Sequence, residues 1–234
     1  MGTIDYKRCN SYFNNNGSIG LGIVLIIVGI LLLFIFIGII PLAIGIWKIY
    51  LAVTRPKDEE IDQMCKDHIR NITSVALSKL GIDEDQVKEA NPVIVAGYYY
   101  GDGFGEMSFA VGKDGVTRTS AYNAVVFFFS TDQIFRYSYS FSLLKNDDNA
   151  NTGEVFYGDV VSVACSEDSY GMGSPAATAN GQTKVKYQKF VLTTTGGTTM
   201  SATFSNRSRD MSAIEQSVNA MRSLLRGKKQ HLQR

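Results

Sequence analysis

Side chains able to do chemistry are few and badly placed for it. The 234 residues hold two histidines and three cysteines. No Cys-x-x-Cys, His-Glu-x-x-His or Gly-x-Ser-x-Gly occurs, so neither a metal set nor an activated nucleophile is spelled out. Asp147, Asn149 and Asn151 alternate as calcium ligands do. Such a loop needs Gly at position 152 and a carboxylate at 158, and the chain has Thr152 and Gly158, so these residues are read as a polar hairpin tip. Gly101, Gly103 and Gly105 have no lysine and no strand–helix setting to make a phosphate cradle, and read as a flexible turn. Glu167 and Asp168 are adjacent carboxylates in a Gly/Ser-rich stretch, the pattern of solvated groups rather than an acid–base pair. The expectation is a protein that is not an enzyme, with no catalytic residue, metal or cofactor.

One charged feature stands out. Residues 207–234 carry seven basic and two acidic side chains. Arg222, Arg226, Lys228, Lys229 and Arg234 fall late in a helix and just past it, where cations complement the helix dipole. Near an anionic leaflet each would contribute about 1 kcal/mol, so these five are the candidate contacts for anionic lipid headgroups. The whole chain has a formal net charge of only +1, which leaves no field to hold nucleic acid.

The elements that would position this tail begin with a membrane segment. Residues 19–47 are 29 positions without a charge, 21 of them Ile, Leu, Val or Phe. Their summed insertion preference is roughly 6–12 kcal/mol as an upper bound. The reading is one transmembrane helix over 19–47 after a short polar N-terminus (1–18), with Pro41 kinking it or marking its exit. Trp47 and Tyr50 then sit in the interface. A secretory signal would be shorter and followed by a cleavage site. A hairpin turning near Pro41 would leave arms too short to span separately. Gly22, Gly29, Gly38 and Gly45 form two pairs spaced by seven that could line a helix–helix contact. Lys7 and Arg8 before the run against Lys48, Arg55, Lys57 and Lys66 after it favour an outside N-terminus and a cytoplasmic C-terminal body.

A helical connector follows over 54–92. Ile61, Met64, Cys65, His68, Ile72, Val75, Ala76 and Leu80 recur at mostly helical steps, Gly81 stops the helix, and Asp83 with Gln86 makes a capping box for a short second one. His68 lies on the apolar face and reads as a packing residue. From position 93 the pattern is of strands. Positions 124–129 are apolar on both faces. Phe135, Tyr137, Tyr139 and Phe141 share one face of the next strand, with Arg136, Ser138 and Ser140 on the other. Strands over 154–165, 185–194 and 198–204 come before a helix with a stripe of Met211, Ile214, Val218, Met221 and Leu225, and residues 166–181 read as a loop.

The order Val-Val-Phe-Phe-Phe-Ser-Thr-Asp-Gln-Ile-Phe-Arg-Tyr-Ser, then Gly-Glu-Val-Phe-Tyr-Gly-Asp-Val-Val-Ser-Val, then Phe-Val-Leu-Thr-Thr-Thr-Gly-Gly and a terminal helix resembles bacterial pleckstrin-homology-like and GRAM-type domains. The resemblance covers about residues 93–226. It implies an α+β chain in which residues 93–227 form a bent antiparallel β-barrel capped by a C-terminal α-helix, with a basic tail at 228–234. It also implies binding rather than catalysis. The first hairpin offers only Lys113 and Arg118 beside Asp102, Glu106 and Asp114, so it lacks the basic cluster of phosphoinositide-binding members. The expected protein is an adaptor at the inner face of a bacterial plasma membrane, single-pass, with the bilayer, anionic headgroups or another membrane protein as partners. The alternative is an auxiliary subunit of a larger membrane complex.

Overall fold

The computed structural model describes residues 1–234 apart from 16, 34–36, 102–103, 105–106, 172–183, 198, 206–218, 220–221 and 229–234. The chain divides into two compact units, residues 5–62 and residues 1–4 with 63–234.

The first unit corrects the expectation of one long helix. Its apolar run folds as two helices, α2 (Ile19–Leu31) and α3 (Ile39–Thr54), packed along each other. No single described helix is long and apolar enough to cross a membrane. Glycine is the physical reason. A Cβ on Gly22 would lie 2.9 Å from the Gly45 carbonyl oxygen, and one on Gly29 would lie 2.9 Å from that of Gly38. Positions 22 with 45 and 29 with 38 mirror one another about the turn, so the seven-residue spacing serves a seam inside one chain. Between the two helices the Gly38 N–H donates to the Leu32 carbonyl at 3.2 Å. Pro41 neither kinks nor ends a helix. It sits in the first turn of α3, where its missing N–H costs no hydrogen bond.

At the open end of this hairpin lies α1 (Tyr6–Phe13), started by the Asp5 carboxylate accepting from the Arg8 N–H at 3.1 Å. It buries Cys9, Tyr12 and Phe13. The Tyr12 hydroxyl donates to Asp58 at 2.6 Å, Arg8 pairs with Glu60, and the Arg55 guanidinium lies 4.5 Å from the Tyr12 ring centroid. The Asn15 amide donates to the Leu51 carbonyl. These contacts tie the residues before α2 to the end of α3 and the residues after it.

The expected connector helix is broken in two, α4 (Asp58–His68) and α5 (Ile72–Leu80). Gly81 closes α5 with a left-handed φ of 67°, and the Asp83–Gln86 box opens a short 3-10 turn. His68 packs 4.4 Å from Phe141 between ring centroids, and its Nδ1 is 2.5 Å from the Gly2 carbonyl oxygen. Burial holds its pKa below the usual histidine range.

The second unit is otherwise a mixed α+β body of antiparallel sheets. Its strands are β1 (Val93–Tyr98), β2 (Phe109–Val111), β3 (Thr117–Thr119), β4 (Ala121–Phe129), β5 (Gln133–Ser142), β6 (Asp148–Phe156), β7 (Val160–Gly171), β8 (Lys184–Thr194) and β9 (Thr199–Ser205). They form sheets of order β1-β4-β5-β6, β2-β3 and β7-β8-β9. Among the described residues no ladder closes these into the expected barrel. Two strand boundaries also differ from the sequence reading. The expected strand 154–165 is interrupted by a 3-10 turn at Tyr157–Asp159, and residues 166–171, read as loop, extend β7 opposite β8. Partner hydrogen bonds from β8 outweigh the polar, glycine-rich composition there. Glu167 accordingly pairs with Lys186, and Asp168 accepts from the Tyr187 hydroxyl, so neither lies in a loop.

The core lies between the two large sheets. Val125, Phe127 and Phe129 of β4 meet Phe190 and Leu192 of β8 and Met200 and Ala202 of β9. Phe127 and Phe190 pack edge to face at 5.6 Å, an arrangement contributing about 0.5–1.5 kcal/mol beyond area burial. Residues 222–228 are helical, and Leu225 enters this core. The other stripe positions, Met211, Ile214, Val218 and Met221, lie outside the described residues.

Candidate functional site

Alternation along β5 puts Arg136, Ser138 and Ser140 on one face, and the register carries that face across its neighbours. Arg136 stands opposite Gly153, Ser138 opposite Asn151 and Ser140 opposite Asn149 on β6, while Asn123 of β4 stands opposite Ser140. Those side chains, with Ser201 and Thr203 of β9, line a polar cleft of about 440 Å³. Tyr99 and Phe104 contribute two rings to it, 6.2 Å apart between centroids, and Lys145 and Asp147 complete its lining. That volume is within the range of small-molecule sites.

The polar groups in this cleft are only partly satisfied by one another. The Asn123 amide donates to the Ser140 hydroxyl at 2.7 Å and lies 3.3 Å from that of Ser138. Lys145 and Asp147 form an ion pair at 2.8 Å. Arg136 donates one Nη2 hydrogen bond to Asn151, but its Nε is enclosed without a partner. Among the described residues no carboxylate pairs with it. Burial accordingly pushes its pKa below the usual guanidinium range. Thr203, 8% exposed, likewise has an enclosed hydroxyl with no partner. Buried polar groups are nearly always paired, so two orphans in one cleft are informative.

Of this cleft the sequence shows one strand face, with Arg136, Ser138 and Ser140, and its spacing points to no site; Asn149 and Asn151 read as a hairpin tip. They are instead strand residues of β6, so the calcium-loop geometry is absent. No signal in the sequence pairs β5 with β6 in this register, so the cleft is not legible there.

The expected lipid contacts are divided. Arg222 and Arg226 line a shallow groove of about 250 Å³ beside Val160–Val163, with Leu225 at its base. Lys228 turns inward. It donates to Glu89 at 2.7 Å and to the Thr131 carbonyl at 3.1 Å, and lies over the Tyr157 ring. Lys229 and Arg234 lie outside the described residues. A Lys228→Gln variant should therefore cost the fold at most about 1 kcal/mol, because the pair is partly exposed. A shift in urea midpoint without change in slope would measure it.

Of the three cysteines, Cys9 and Cys65 are buried and Cys165 is exposed, and none forms a disulfide. Burial first, then the nearby Asp5 carboxylate, pushes the Cys9 thiol up to about 11, which makes it a poor nucleophile. Among the described residues no three His, Cys, Asp or Glu side chains gather as a metal set. No known family model, curated protein or solved structure matches this chain.

Proposed function

We propose that this chain is a non-enzymatic binding module held at the cytoplasmic face of a plasma membrane by the α2–α3 hairpin. The hairpin's surface carries the reading. Leu31 is 70% exposed and Ile40 65%, and Ile23, Ile27, Ile30, Ile37, Ile44 and Ile46 are exposed with them. An apolar surface this continuous marks contact with another apolar phase. No charge interrupts it between positions 9 and 47.

Two features specify how such a hairpin would enter a bilayer. The helices of 13 and 16 residues are roughly 20 and 24 Å long, short of the roughly 30 Å hydrocarbon core. The connection over 32–38 reads Leu-Leu-Phe-Ile-Phe-Ile-Gly, with no polar side chain. A turn emerging into water on the far side would expose that apolar surface to solvent. Kept in hydrocarbon, it makes the anchor re-entrant rather than single-pass, and the N-terminus stays on the same side as the C-terminal body. The contacts of α1 with Arg55, Asp58 and Glu60 fit that arrangement.

The body then carries the binding function. Its antiparallel sheets with a helix at the end of the chain are compatible with a pleckstrin-homology-like domain, and its polar cleft supplies a recess for a ligand. Impermeant maleimide labelling in intact cells tests the topology, using a cysteine placed at Thr3 and the exposed Cys165. Both should stay unlabelled until the cells are permeabilised, and the chain should resist extraction by alkaline carbonate. Labelling at position 3 alone would restore the single-pass arrangement, and carbonate release would remove the anchor reading altogether.

A further inference from the structure

The cleft between β5, β6 and β9 has a composition that selects among ligands. Among the described residues its charges are Arg136, Lys145 and Asp147. Lys145 and Asp147 neutralise each other, which leaves one uncompensated positive charge on Arg136. A guanidinium presents a planar fork that matches a carboxylate. One net charge suits a mono-anion; a phosphate monoester would bring a second negative charge with no partner. A free amino acid would need a carboxylate for its ammonium group, and the one carboxylate among the described lining residues is held by Lys145.

The rest of the lining is neutral and able both to donate and to accept. Ser138, Ser140, Ser201 and Thr203 offer hydroxyls, and Asn149 and Asn151 offer amides. Such groups suit a ligand with several hydroxyls of its own. At one side Tyr99 and Phe104 present aromatic rings, against which the C–H face of a sugar ring can stack.

We propose that this cleft binds a small sugar acid, its carboxylate held by Arg136 and its hydroxyls by the serine and asparagine side chains around it. The proposal rests on the binding-module reading of the body and is independent of the anchor, so the labelling experiment can fail without affecting it. It assigns Arg136 to ligand recognition rather than to folding, since a desolvated cation without a counter-ion works against stability.

The test is calorimetric titration of the full chain in detergent with D-glucuronate, D-glucose, acetate and inorganic phosphate. Glucuronate should bind saturably, at least tenfold more tightly than any of the other three. Arg136→Gln should abolish that binding while its melting temperature stays equal to or above the parent's. Should that variant not fold, Asn149→Ala decides, since residue 149 is exposed on the cleft wall and its loss should weaken glucuronate at least threefold. Absence of saturable glucuronate binding, or glucuronate binding unchanged by both variants, would overturn the proposal. Phosphate or acetate binding as tightly as glucuronate would overturn it equally, because the cleft would then be reading charge alone.

Discussion

An Asp114→Ala variant is expected to lose about 3–5 kcal/mol of stability, enough to leave the second unit largely unfolded in mild denaturant. Arg118 is 1% exposed, and its two Nη groups reach the two oxygens of Asp114 at 3.0 and 2.8 Å. Removing the carboxylate takes two charge-assisted hydrogen bonds from a guanidinium that has almost no access to water. Adding Arg118→Met to the same chain should recover most of the loss, since an apolar side chain of similar length carries no desolvation cost. Urea melts of the parent, the single and the double variant check this; a single variant as stable as the parent refutes it.

The same pair sets an acid limit. Hydrogen bonding from Arg118, opposed in part by burial, holds the Asp114 carboxyl below its usual range. A depressed carboxyl contributes its full stability above the unfolded pKa of about 3.9 and loses it as pH falls through the lower folded value. His68 adds to acid sensitivity at a milder pH. Its folded pKa lies below 6.5, so its contribution is present above about 6.5 and fades as pH drops. The pair also explains why Arg118, a cation of the first hairpin, is not offered to a ligand: its charge is already used inside the fold.

The second large effect belongs to the α2–α3 seam. Gly22→Leu and Gly29→Leu should each cost about 1–3 kcal/mol by overpacking, and together they should separate the two helices. A Cβ at 22 would approach Ile49 Cγ1 to 2.5 Å, and one at 29 would lie 2.8 Å from the Leu42 backbone nitrogen. Gly20 supplies the control. It lies on the same helix, a Cβ there meets nothing within 4 Å, and Gly20→Leu should leave the hairpin unchanged. Helical signal against temperature and protease cleavage near 32–38 in detergent distinguish the variants. Equal behaviour of the substitutions at 20, 22 and 29 would mean that the glycine seam does not hold the helices together.

Much of the local structure is legible in the sequence, because it depends on neighbours a few residues apart. The alternation of Phe135, Tyr137, Tyr139 and Phe141 against Arg136, Ser138 and Ser140 follows from the two-residue period of a strand. The β2–β3 hairpin follows from Lys113-Asp114-Gly115, with Gly115 at a φ of 75°. Gly81 and the Asp83–Gln86 box mark ends that only backbone geometry requires. Even the glycines at 22, 29, 38 and 45 stand out by spacing.

Tertiary structure decided what those pieces meet. Composition and length make residues 19–47 look like a spanning helix, since each apolar side chain favours insertion separately. Only the close approach of Gly22 to Gly45 and of Gly29 to Gly38 shows that the run turns back on itself. Asn149 and Asn151 have no local reason to be strand; β5 supplies it by pairing from a hairpin away. Lys228 looks like a free tail cation until Glu89, 139 positions earlier, is brought beside it. The cleft around Arg136 is of the same kind. Its charge is visible in one strand, whereas the lack of a counter-ion among the described residues depends on three strands that the sequence keeps apart.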